Sequence, residues 1–128
     1  MKKYFYSIVV LFGLLSCDKE VNYDYFVINQ CDEAIKVVFM IGRNDGRDKG
    51  PHSIVIPPDE NILIYDGHWI NGLDDGVLEW FFTEITIHKG DKISKVNYID
   101  KDKWRFEPTS DSHANSYLTV YPEDFENE

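Results

Sequence analysis

The chain has 128 residues, a formal net charge of -10 and an aromatic content of 15%. That length supports one domain, and the aromatic residues supply bulk for a core, which argues against a simple disordered chain. The acidic balance repels phosphate backbones and anionic headgroups, so it argues against nucleic-acid binding and leaves lipid contact to an anchor.

Met1-Lys2-Lys3 forms a short positive start. An apolar stretch from Tyr4 to Leu15 follows, interrupted by Ser7 and Gly13, and then come Ser16 and Cys17. A positive start, an apolar core and a small residue at the cut mark a secretory signal peptide. The apolar run is shorter than the roughly 20 residues a transmembrane helix needs. These features predict a cleaved signal helix over 1–16, a tether over 17–22, a folded domain over 23–122 and an acidic tail over 123–128 that frays.

Leu14-Leu15-Ser16-Cys17 resembles the bacterial lipobox. Leu14 fits the apolar position three before the cut and Ser16 the small one beside it, whereas Leu15 is larger than usual. The resemblance implies diacylglycerol and N-acyl lipid on Cys17, with no other cofactor expected, and a membrane as partner through that anchor. Asp18, Lys19 and Glu20 resemble the acidic export signal of surface lipoproteins in Bacteroidetes, which implies an outer-membrane protein facing the cell exterior, with the periplasmic leaflet as the alternative. Without its signal the chain keeps about 110 residues, enough to bury roughly 65% of its unfolded surface. If Cys17 carries lipid, Cys31 is left without a partner in the chain. It reads first as a small buried apolar residue, with an intermolecular disulfide or a free thiol as alternatives.

From Tyr23 the pattern is that of strands. Tyr23 to Ile28 is aromatic and β-branched, and Ile35, Val37, Phe39 and Ile41 alternate with other residues. The polar stretch from Asn29 to Glu33 between them predicts a hairpin. Gly42 to Pro51 reads as a turn-rich loop. Ser53 to Ile56 is a short strand stopped by Pro57-Pro58, since prolines cannot donate to a ladder. Asn61 to Tyr65 is the next strand, and Asp66 to Gly76 a second long loop. Val77 to His88 has the strongest period of two, with Phe81, Thr83, Ile85 and Ile87 on one face. Lys89 to Lys92 is a turn, and Ile93 to Ile99 pairs weakly or stays irregular. Trp104 and Phe106 share one face of a further strand, Pro108 to Ala114 reads as a polar loop, and Ser116 to Tyr121 closes the set with Leu118 and Val120 facing in. About seven short strands and no mature helix predict an all-β fold, an antiparallel sandwich. It is immunoglobulin-like in shape only, because the cysteine–tryptophan–cysteine framework is missing.

The unusual segment is Asp66 to Gly76, which holds Asp66, His68, Trp69, Asn71, Asp74 and Asp75. Its oxygen donors suit calcium, yet the EF-hand spacing is absent and Asp and Gly are ordinary turn residues. No metal site is therefore assigned. His68 and Trp69, with Asp74 and Asp75, are the candidate binding residues, either for a sugar stacked on Trp69 or for a protein hot spot; the alternative is a tryptophan folded back onto the core. Glu79 and Glu84 lie on opposite faces of one strand and do not form a glycosidase pair. The histidines have no zinc-type spacing, and no serine sits in a nucleophile elbow.

Tyr25 to Asn29, Ala34 to Phe39, Ile56 to Glu60 and the run from Phe81 through Gly90 to Trp104 are similar to the small β-sandwich lipoproteins of gut Bacteroidetes. That resemblance implies fold and location and no chemistry. The expected function is a non-enzymatic envelope module binding a protein or glycan partner. The alternatives are a hydrolase with a site in the Asp66–Gly76 loop and a purely structural envelope protein.

Overall fold

The computed structural model describes residues 20–42, 48–69 and 81–126. Within them lie eight strands: β1 (Val21–Asn29), β2 (Ile35–Ile41), β3 (His52–Ile56), β4 (Asn61–Trp69), β5 (Phe82–Lys89), β6 (Lys92–Ile93), β7 (Trp104–Ser110) and β8 (His113–Val120). They form two packed sheets, in the orders β4-β1-β8-β7 and β3-β2-β5-β6. The fold is an all-β sandwich, antiparallel apart from β1 and β8, which run parallel side by side. Short 3₁₀ turns cover Lys101–Lys103 and Pro122–Phe125. The proposed signal segment, with Cys17, Asp18 and Lys19, lies outside the described residues.

Strict alternation builds the core. Val21, Tyr23, Tyr25, Val27 and Asn29 of β1 are buried, as are Ile35, Val37, Phe39 and Ile41 of β2 and Ala114, Ser116, Leu118 and Val120 of β8. Period two in sequence becomes one inward face per strand. Aromatic rings fill the centre. Phe82 meets Tyr25 edge-on at 5.1 Å between centroids, and lies 5.5 Å from Tyr65, 5.7 Å from Phe39 and 6.1 Å from Trp104.

β1 and β2 are not a hairpin. β1 pairs with β4 and β8, while β2 pairs with β3 and β5, so the segment between them carries the chain from one sheet to the other. Each strand has a mainly apolar inward face, and both faces are satisfied when the strands oppose each other across the core. Asn29 secures the corner. Its buried amide nitrogen donates to the carbonyls of Glu33 (2.9 Å) and Ile56 (3.0 Å), and its side-chain oxygen accepts from the Cys31 N–H (2.8 Å). Its backbone bonds to Asp59 and Glu60 in the β3–β4 connection. Replacing Asn29 with alanine leaves these main-chain groups unpaired and is expected to cost about 2–4 kcal/mol. Urea unfolding of the variant measures the loss.

Several boundaries differ from expectation. β1 begins at Val21, inside the stretch read as a tether. The loop expected from Asp66 instead continues β4 to Trp69, pairing with Val21 to Asp24. Asp66-Gly67 mimics a turn signal, but Gly67 occupies an inward strand position. A Cβ there would sit 2.8 Å from the Phe81 ring, so the glycine marks a close approach. In β5 the register shifts at Met40/Ile41, which opposes Ile41 to Phe82 and Met40 to Glu84. Thr83 is the bulged residue, and Phe82 rather than Thr83 shares the inward side with Ile85 and Ile87. β7 runs through Pro108 to Ser110, beyond the point where a polar loop was expected. The sheet order leaves β7 on an edge, where a missing N–H is tolerated. The stretch expected to fray contains a 3₁₀ turn that buries Phe125 to 1% exposure.

Cys31 is buried, as its reading as a small apolar residue anticipates. Burial, its largest influence, pushes the thiol above the ordinary value, which suppresses the reactive thiolate.

Candidate functional site

Pairing in the first sheet arranges its outer face in rows. His68, Asn22, His113 and Ser110 form one row, and Asp66, Asp24, Asn115 and Glu107 the next. Leu63, Phe26, Tyr117 and Arg105 form the third. The chain enters β1 at the histidine row, and β8 ends at the opposite pole.

At the entry pole, a cavity of about 410 Å3 is lined by Asn22, Asp24, Asp66, Gly67, His68 and His113. His113 Nε2 lies 3.0 Å from Asp24 Oδ2, with both side chains about a third exposed. The opposite ring nitrogen, Nδ1, contacts the Thr109 hydroxyl. That hydroxyl also lies 3.2 Å from the His113 carbonyl oxygen. A hydroxyl has one proton, so Thr109 donates either to the carbonyl or to Nδ1, according to the imidazole tautomer. Thr109 thereby braces the β7–β8 hairpin. His68 is exposed and lies 4.0 Å from Glu20. No group of three or more metal-ligating side chains converges among the described residues.

The third row is a ladder rather than a platform. Phe26 and Tyr117 stack at 5.2 Å with 18° between ring planes, and the Arg105 guanidinium lies 4.6 Å from the Tyr117 centroid. Arg105 is also paired with Glu107 at 3.1 Å. Phe26 and Arg105 therefore occupy the Tyr117 ring, and these contacts stabilise the sheet as cross-strand pairs.

Beyond the ladder, at the far pole, lies a cleft of about 540 Å3. The start of β7 supplies Trp104 and Arg105, and the 3₁₀ turn before it supplies Asp102 and Lys103. The end of β8 supplies Tyr117, Leu118 and Thr119, and the C-terminal turn supplies Tyr121 and Asp124. The walls are held from behind. Trp104 Nε1 donates to the Tyr98 carbonyl at 2.7 Å, and the Tyr98 hydroxyl donates to Asp124 at 3.0 Å and meets Ser94 at 2.7 Å. Asp124 also accepts from the Tyr121 N–H. Tyr121 itself is 48% exposed at the rim.

Burial, first of all, pushes the Tyr98 hydroxyl far above its ordinary value, and the Asp124 charge adds to this. Burial does the same for Tyr25, reinforced by Tyr23 and Tyr65. Both hydroxyls stay protonated in the folded state when the unfolded chain begins to lose those protons, near pH 10. Above that pH the folded state binds more protons than the unfolded one, so stability falls as pH rises. Thermal melting is expected to be insensitive to these groups at neutral pH and to decline above about pH 10. Tyr98→Phe should make that decline shallower.

Of the sequence-derived binding candidates, only His68 and Trp69 are among the described residues, and they do not share a face. His68 lies on the outer face of β4, whereas the half-buried Trp69, next in the strand, packs against the core. Adjacent strand residues face opposite sides, so the two cannot form one stacking surface. Asp74 and Asp75, like Glu79, lie outside the described residues. Sequence reasoning missed the far cleft and the Asp24–His113 pair. The outward positions of β8, namely His113, Asn115, Tyr117 and Thr119, held the only signal for them. Comparison with family models, with curated proteins and with solved structures gives no match.

Proposed function

We propose that this chain is a lipid-anchored, non-enzymatic binding module of the cell envelope, tethered through Cys17, with its ligand site in the far cleft. The lipobox resemblance supports a likeness to the Bacteroidetes lipoproteins, with which the β-sandwich architecture is compatible, and Asp18, Lys19 and Glu20 favour the cell surface. The observation that carries the reading is the cleft itself. It falls in the size range of small-ligand sites, its polar groups come from three separate elements, and a hydrogen-bonded scaffold holds its walls. β1 and β8 run parallel, so the cleft lies beyond the end of the sheet opposite the chain's entry. Over the length of β1, at about 3.3 Å per residue, the two poles are roughly 25 Å apart. Lipid on Cys17 would thus attach the domain at the pole opposite the cleft.

The test is retention of envelope components and of a glycan array by the immobilised mature domain. The Tyr121→Ala/Lys103→Glu variant runs in parallel, after a thermal melt shows that it folds. Retention by the wild type and about a tenfold loss in the variant are expected. No retention by the wild type, or equal retention by both, would overturn the assignment.

A further inference from the structure

We propose that the far cleft takes a neutral saccharide. This inference rests on the binding-module reading above and adds the ligand class to it. Four charged side chains line the cleft, and their signs balance: Lys103 and Arg105 against Asp102 and Asp124. In a domain this acidic, a site for phosphate, sulfate or carboxylate would need an excess of cations, and here each cation has a carboxylate in the same lining. An apolar ligand is equally disfavoured, because it would strip water from those four charges without replacing their hydrogen bonds.

A sugar hydroxyl both donates and accepts. Lys103, Arg105 and the Thr119 hydroxyl offer donors, while Asp102 and Asp124 offer acceptors, so mixed polarity fits a polyol better than it fits an ion. Asp124 is held by Tyr98 and by the Tyr121 N–H, which fixes its position before any ligand arrives. Tyr121 supplies the remaining element, an exposed ring at the rim against which the C–H face of a pyranose can pack. Tyr117 cannot serve in that way, because Phe26 and Arg105 already cover it. Strand addition of a peptide along the adjacent β7 edge is also disfavoured. Pro108 removes a donor there, and Arg105 and Glu107 charge the edge, two devices that blunt such pairing.

The experiment is calorimetric titration of the mature domain with neutral oligosaccharides of glucose, galactose, mannose and xylose, and with oligogalacturonate as the acidic counterpart. Binding of at least one neutral probe is expected, weakened about tenfold by Tyr121→Ala and by Asp102→Ala, and kept by Tyr121→Phe. Tyr121 is half-exposed, so its replacement spares the core, and a melt on each variant confirms folding. The affinity should change little with added salt, since no net charge is neutralised on binding. Binding of oligogalacturonate alone would overturn the neutral class while leaving the cleft as a binding site. Silence towards every saccharide, with cleft-dependent retention of an envelope protein, would overturn the saccharide and spare the module. Silence in both experiments would remove both.

Discussion

Replacing Phe82 with alanine is expected to destabilise the domain by about 3–5 kcal/mol, the usual cost of removing a buried phenyl ring. Phe82 is 1% exposed and touches rings from four other strands: Tyr25 of β1, Phe39 of β2, Tyr65 of β4 and Trp104 of β7. No neighbour can close the gap alone, because each is itself held by its strand. Each ring pair adds about 0.5–1.5 kcal/mol beyond area burial. A domain of this size has only about 5–15 kcal/mol in total, so the variant should melt on the order of 20 °C lower. Phe82→Leu keeps most of the volume and should lose clearly less. Urea midpoints for the two variants, at unchanged slope, would test the ranking. Equal losses would mean that the ring contacts contribute nothing specific.

Phe82 also illustrates where sequence reading succeeds and fails. The period of two around Ile85 and Ile87 identifies the strand correctly. It does not reveal the bulge at Thr83, because a bulge is decided by what β2 offers opposite. The same holds in β4, where Ile64 and Tyr65 are both buried at a register shift. Inward faces of β1, β2 and β8 are legible because alternation is local. The partner of each strand is not, since an apolar face can be buried by a neighbour in either sheet. The polar Asn29–Glu33 stretch therefore reads as a hairpin, although a buried Asn29 holds it as a corner. Gly67 and Pro108 mislead in a related way, each being a turn residue by composition and a strand residue by tertiary context.

The candidate site was less legible than the fold. His113 and Asp24 lie 89 positions apart and meet only because β8 lies parallel to β1. Arg105 reaches Tyr117 through the β7–β8 register. Neither pairing follows from spacing in the sequence. Of the segment singled out by composition, Asp66 to Gly76, the described part Asp66–Trp69 is an ordinary strand end with His68 facing out and Trp69 packed on the core. A chemically mixed stretch is uninformative until the faces are known.

If Cys17 carries the proposed lipid, Cys17→Ala has the largest expected effect on function, conversion from a membrane-bound to a free protein. Each buried methylene of an acyl chain contributes about 0.8 kcal/mol, so one chain binds marginally and two or three bind essentially permanently. The modification needs a nucleophilic sulfur, and the chain has two cysteines. The fold separates them. Cys31 is 2% exposed, its thiol is pushed up by burial, and its sulfur faces the Val120 carbonyl at 4.0 Å. An acyl group on it would have to displace core atoms. Metabolic labelling with a fatty-acid probe should therefore mark the wild type and Cys31→Ala and leave Cys17→Ala unmarked and in the soluble fraction. Label retained by Cys17→Ala, or absent from the wild type, would defeat the anchor. The anchor also sets the geometry of the binding proposal. If lipid sits on Cys17, four positions before Val21, it would attach the domain at the His68–Glu20 and His113–Asp24 pole, opposite the Tyr121 cleft, which would leave the cleft open to a large ligand. Protease or antibody access to Tyr121-side epitopes on intact cells is then expected for the wild type and should vanish with the anchor.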